Sequence, residues 1–281
     1  MAFEIYNAHH AIGGPPFGRK MRDFGLRWPD VDTPEKQAAV AAKAVADALA
    51  QGQVLIGLDL EGDDWNVGQT WQYFDRNLGR ILSLLKAFKK PLDACDWKVK
   101  LAGYNWPGRP HHQMFRMFDA VQRTKDPRLA SAYFQWAEVS ARVVQAVRPH
   151  VSALCPCLYA LNLDATPNVI RIPGESAEWY LARKEAAFTA RYVEEWTQTA
   201  TMTLGLIQAL PSAAGWPIYP YVWQRLNGVD VPIALWKAQW DWLQAHCPRG
   251  AVAWFGGTGE KWDPGSLCNQ ELLRRAEAAH G

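Results

Sequence analysis

The sequence predicts an α/β fold, a TIM-like (β/α) barrel of seven or eight strands, and three observations carry that prediction. Apolar runs of strand length alternate with longer helix-like runs along the 281 residues, a rhythm that builds parallel strands joined by right-handed crossover helices. An open doubly wound sheet shares the rhythm, but a nucleotide-binding sheet needs a phosphate loop, and neither Gly-x-Gly-x-x-Gly nor a Walker-type loop is placed to serve. Polar and aromatic residues also gather after several different strands, as they do on the carboxyl-end face of a barrel. One barrel typically takes ~250 residues, so residues 1–281 are read as a single domain.

Each element has a local reason. Phe3 to Tyr6 reads as the first strand, and Gly13-Gly14-Pro15-Pro16 as a loop. Thr33 caps a helix whose first turn accepts Pro34, and Gly52 ends it. Val54 to Leu58 is apolar throughout, as a strand covered on both faces must be. A helix follows over about 70–89 with Leu78, Ile81, Leu82 and Leu85 on one side, then a strand over Lys98 to Tyr104 that runs into Asn105-Trp106-Pro107-Gly108. Helices occupy about 112–148, broken at Asp126-Pro127, and Val151 to Tyr159 is a strand. Beyond Pro167 and Pro173 a long helix runs from about Ala177 to Leu210. Pro217 to Trp223 is a strand with Tyr219, Tyr221 and Trp223 on one face, and Arg225 follows close to its end. Pro232 to His246 is a helix stopped by Pro248-Arg249-Gly250, and Ala251 to Phe255 is the last clear strand. The remaining strands fall near 20–28 and 168–172.

Composition excludes several functions. A formal charge of +2, with Lys and Arg scattered, does not support binding driven by counterion release from nucleic acid. No stretch approaches the ~20 apolar residues of a membrane span. The start shows no basic segment followed by an apolar run, so no secretory signal is visible; the expected location is cytoplasmic until release, on a virion, or outside the cell after loss of a leader. Five cysteines are an odd number in a chain this long, and reduced, buried thiols are expected, Cys155 and Cys157 included. The pairs His9-His10 and His111-His112 lack the i, i+4 spacing of a helical metal site, and no Gly-x-Ser-x-Gly elbow occurs. No metal and no cofactor is implied, and the oligomeric state is open.

The unusual count is 15 Trp. Trp236 and Trp240 sit four apart on a helix and share a core face, whereas Trp65, Trp106, Trp223 and Trp254 fall where strands end, positions suited to stacking on sugar rings. The sharpest local feature is Leu58-Asp59-Leu60-Glu61-Gly62-Asp63-Asp64-Trp65, where an apolar strand ends in four carboxylates within six residues. Side chains two apart on a strand point the same way, so Asp59 and Glu61 share a face. Two acids held together raise the pKa of one, leaving a protonated acid beside a carboxylate, the pair that glycoside cleavage uses. Acids in an apolar strand are costly unless used or paired. Asp63 and Asp64 suit a turn or a helix cap, with Asp63 also a candidate substrate contact.

In order along the chain, Phe3-Glu-Ile-Tyr-Asn7, Leu58 to Trp65, Ala102-Gly-Tyr-Asn-Trp106, Cys155-Pro-Cys-Leu-Tyr159, Ile218-Tyr-Pro-Tyr-Val-Trp223 and Val252-Ala-Trp-Phe-Gly256 resemble the strands of the hyaluronidases of animal and venom type. The catalytic motif of that family is Asp-aromatic-Glu, and Leu60 stands here in the aromatic place. Barrel muramidases with Asp-x-Glu resemble the same strand, but match the later segments less well.

The resemblance implies a glycosidase acting on a polysaccharide that contains N-acetylhexosamine. Glu61 would be the general acid and then the base, and Asp59 would orient the substrate's own N-acetyl group as nucleophile. It places Tyr104 and Tyr159 around the acetamido group and Trp254 behind it, with Trp106, Tyr221 and Trp223 as further substrate contacts. Tyr159 and Trp254 read equally well as barrel filling, and for Trp223 and Arg225 the structural reading is the stronger one. The alternative from a different class is a non-catalytic barrel that binds glycans or forms part of a larger particle.

Overall fold

A computed structural model describes residues 3–9, 14–60, 74–104, 121, 124–158, 172–210, 213–226, 229–255 and 261–280. Seven parallel strands form one sheet: β1 (Glu4–His9), β2 (Arg19–Leu26), β3 (Leu55–Leu60), β4 (Lys100–Tyr104), β5 (Ala153–Cys155), β6 (Tyr221–Trp223) and, after a short hairpin of β7 (Arg225–Leu226) and β8 (Val229–Asp230), β9 (Gly250–Phe255). Their order is β5-β4-β3-β2-β1-β9-β6. The two ends of this sheet meet. Parallel bridges join Leu154 to Ile218 and Cys157 to Tyr221, with Tyr219 N–H donating to the Leu154 carbonyl at 2.8 Å and Leu158 N–H to the Tyr221 carbonyl at 2.9 Å. The ring therefore closes, which removes both free edges.

The closing seam is made of short strands for a covalent reason. Pro156, Pro217 and Pro220 have no N–H to donate, so the expected runs 151–159 and 217–223 hold ladder pairing only in pieces. The strand anticipated near 20–28 is β2, β1 runs on to His9, three residues past its expected end at Tyr6, and the β7–β8 hairpin falls where no strand was expected. Of the expected strand at 168–172, residues 168–171 lie outside the described residues, and Ile172 is not in a strand.

Among the described residues six helices wrap the ring: α1 (Pro34–Ala50), α2 (Phe74–Ala94), α3 (Pro127–Val147), α4 (Ala177–Gln208), α5 (Ile233–His246) and α6 (Leu267–His280). Their starts follow the capping chemistry of the sequence. Thr33 Oγ1 accepts from Lys36 N–H, Asp126 Oδ1 from Arg128 N–H, and Ser176 Oγ from Trp179 N–H. α2 runs five residues past its expected end at Lys89 and contains Pro91; Phe88 and Leu92 are fully buried there, so packing of the last turns outweighs the lost backbone hydrogen bond. Among the described residues no helix separates β1 from β2, and none of the helices is long and apolar enough to cross a membrane.

Alternation along the strands divides the core in two. Even-numbered β3 residues Ile56 and Leu58 pack outward with Ala41 and Val45 of α1 and Ile81 and Leu85 of α2. Odd-numbered Leu55 faces inward, with Tyr6, Ala8, Met21, Ala102, Cys155, Cys157, Tyr221 and Val252. A second outer layer gathers Trp196, Trp236, Trp240, Trp242 and Leu272 against β1 and β9. Trp236 and Trp240 meet edge to face at 5.5 Å, the shared face that their spacing predicts. Cys155, Cys157, Cys247 and Cys268 are buried and none of the five cysteines is in a disulfide.

Candidate active site at the barrel mouth

The carboxyl ends of the strands define one end of the barrel, and Asp59 is placed there by parity. It lies four residues beyond inward-facing Leu55 on β3, so its side chain turns into the barrel, half-buried. Its partner on β2 is Gly25, which contributes no side chain to that side of the lumen. On the other side Leu58 pairs with Gly103, so Asp59 stands level with the next residue, Tyr104.

Tyr104 closes β4 and pairs in turn with Cys155. Its ring meets Tyr221 edge-on, with centroids 4.7 Å apart and planes at 79°, a favoured arrangement for two quadrupoles. Tyr221 is fully buried and its hydroxyl donates to Met21 Sδ at 3.5 Å. It therefore forms a floor beneath Tyr104. At the far side of the ring Trp223 and Trp254 are register partners, with ring centroids 5.1 Å apart and planes at 59°. Both are half-buried, and Trp254 is flanked on β1 by Ala8, whose small side chain leaves the indole room.

Five of the residues singled out from the sequence thus share the inner face: Asp59, Tyr104, Tyr221, Trp223 and Trp254. Glu61, Asp63, Trp106 and Tyr159 lie outside the described residues, as does the side chain of Arg225. The histidine pairs likewise fall there, except for the backbone of His9. Among the described residues no group of three or more His, Cys, Asp or Glu side chains converges as a metal site would. What the described arrangement offers is a carboxylate acceptor, a tyrosine braced from below and an indole wall, all on rigid strands.

A polar cluster at the opposite end of the ring went unread in the sequence. Tyr6 Oη donates to Glu4 Oε2 at 2.7 Å, Arg19 pairs with the same carboxylate, and the Tyr6 and Tyr219 rings lie 4.7 Å apart. Burial, and then the hydrogen bond to Glu4, push the Tyr6 phenol far above its usual value, and burial raises that of Tyr219. These phenols stay neutral and plug the base. The signal was present in the first strand, where Glu4 and Tyr6 alternate with apolar Phe3 and Ile5.

No protein-family model matches the chain, and no curated protein matches it in sequence. Solved structures similar to it include a GH18 chitinase from Pseudoalteromonas aurantia at 12% identity and TM-score 0.46, covering 91% of this chain and 76% of that one. Bee venom hyaluronidase is similar at 12% identity and TM-score 0.38, over 94% of this chain and 69% of that one. A modular endo-β-1,4-mannanase from Cellulomonas fimi is similar at 13% identity and TM-score 0.41, over 98% of this chain and 70% of that one.

Proposed function

We propose that this protein is a glycoside hydrolase, cofactor-free and endo-acting, that cleaves a polysaccharide containing N-acetylhexosamine with retention and substrate assistance. The observation that carries the reading is Asp59: an acid at the carboxyl end of an otherwise apolar strand, turned into the barrel and level with Tyr104. An ionised carboxylate so placed accepts the N–H of an acetamido group and steadies the positive charge that builds on it as its carbonyl attacks the anomeric carbon. Alternation in the sequence puts Glu61, two residues on, on the same face, and the resemblance to the hyaluronidases gives it the proton transfers: first to the leaving oxygen, then from the attacking water. Tyr104 supplies a hydroxyl to the acetamido oxygen, and Trp254 and Trp223 supply the apolar wall. The chain is read as one catalytic domain.

The test is release of reducing ends from a panel of N-acetylated polysaccharides. Wild type should release them, and Glu61→Gln should abolish release. Asp59→Asn should lower kcat by at least ~10²-fold, the scale of losing one stabiliser of developing charge. A de-N-acetylated polymer should be a poor substrate, and equal rates on both polymers would reject assistance while leaving hydrolysis standing. Full activity in Glu61→Gln, or no release by wild type from any polymer, removes the proposal.

A further inference from the structure

At the amino-terminal end of the barrel, away from the mouth, a cavity of about 270 Å³ lies between the last turns of α4, the segment 213–218 and the turn from α5 into β9. Leu204, Trp216 and Ile218 form its apolar wall; Gln208, His246 and Arg249 are its polar groups. Among the described residues that line it there is no Asp or Glu. The Arg249 guanidinium takes no hydrogen bond or ion pair among the described residues. The nearest acid on the adjoining strand, Glu4, already holds Arg19 and Tyr6.

The surroundings are built to hold shape. Arg148 donates to the Ala214 carbonyl at 3.2 Å and lies 5.9 Å from the centroid of the Trp216 ring, so the segment that carries the indole is tied to the end of α3. His246 is stacked on Trp242 at 4.3 Å and its Nδ1 is 2.8 Å from the Trp242 carbonyl. A carbonyl only accepts, so Nδ1 carries the proton and Nε2 remains for another partner. The wall thus joins a flat indole to a guanidinium, an imidazole and a carboxamide, with positive charge and no compensating carboxylate.

We propose that this cavity binds a small organic anion, a single aromatic ring bearing a carboxylate. Ligand cavities run from ~300 Å³ upward, so this one suits one ring and not an oligosaccharide. Arg249 would hold the carboxylate through its fork of donors, and Trp216 with Ile218 would cover the ring. Binding here is independent of what the mouth does.

The test is calorimetric titration of the full chain with benzoate, and with benzamide as its neutral counterpart of the same shape. Benzoate should bind at least tenfold more tightly than benzamide. Arg249→Gln should weaken benzoate at least tenfold, leave benzamide unchanged and shift the melting temperature little, because among the described residues that side chain makes no hydrogen bond or ion pair and acts only at a distance on the Tyr219 phenol. Benzoate should also shift the indole N–H resonance of Trp216 and not those of Trp223 or Trp254. No binding of benzoate, equal binding of the two probes, wild-type affinity in Arg249→Gln, or binding that leaves Trp216 unmoved would each overturn the assignment.

Discussion

Gly250→Ala should be among the most damaging single-methyl changes in this barrel. Gly250 opens β9 at φ 140°, a backbone region open to glycine almost alone. A Cβ there would lie 2.1 Å from the Glu4 carbonyl oxygen on β1. Ordinary contact would require the two strands to part by about 1 Å or more, which strains the hydrogen bond from Glu4 N–H to the Arg249 carbonyl, now 3.2 Å. Backbone strain contributes about 1–3 kcal/mol and overpacking about as much again, so the loss is roughly 2–6 kcal/mol. At ~2–4 °C per kcal/mol for a chain of this class, the melting temperature should fall by roughly 5–20 °C. Gly52→Ala separates the two terms: its φ is 64° but nothing lies within 4 Å of an added Cβ, so only about 1–2 kcal/mol is expected. Urea denaturation of both variants, followed by circular dichroism, measures the difference. If Gly250→Ala is no less stable than Gly52→Ala, the close approach of β1 and β9 has been misjudged.

Three further outcomes follow from the same structure. Gln239 is fully buried on α5 and neither amide atom has a hydrogen-bond partner among the described residues, so Gln239→Met should raise stability by about 1–3 kcal/mol; a lower melting temperature would count against it. Arg274, and with it Arg275, hold the buried Glu271 carboxyl down at about 2, against an ordinary 4.5. A depressed carboxyl stabilises the fold above its unfolded value and loses that contribution as pH falls through its folded one. Wild type should therefore lose at most about 3 kcal/mol relative to Glu271→Gln between pH 4.5 and 2, and parallel stability curves for the two would refute the pairing. At the mouth, Trp254→Ala should raise KM for a long glycan more than it lowers kcat, with Trp254→Phe restoring most of the loss; steady-state kinetics on both variants would show it, and an unchanged KM would assign the indole to barrel packing.

Much of the fold was legible because strand and helix periods are local. The apolar run ending at Leu58 was readable as a strand, and the same alternation that buries Leu55 inward carries Asp59 to the inner face. The cap at Thr33 likewise acts within one turn, as do those at Asp126 and Ser176, which the sequence reading did not single out. α2 was misjudged at its end because burial of Phe88 and Leu92 against the ring is a long-range term that outweighs Pro91. The grouping of Tyr219, Tyr221 and Trp223 on one face was readable; that Tyr221 would be sealed beneath Tyr104 was not, since the two rings belong to different strands.

The sequence by itself determined the alternation of elements, the direction of Asp59 and the aromatic residues at strand ends, because each depends on neighbours two to four residues away. Tertiary structure alone decided the closure of the seam between β5 and β6, the pairing of Trp223 with Trp254, the plug of Glu4, Arg19, Tyr6 and Tyr219, and the acid-free cavity around Arg249. Those depend on which strands become neighbours and in what register, and that choice is settled by burying the faces of all seven strands together.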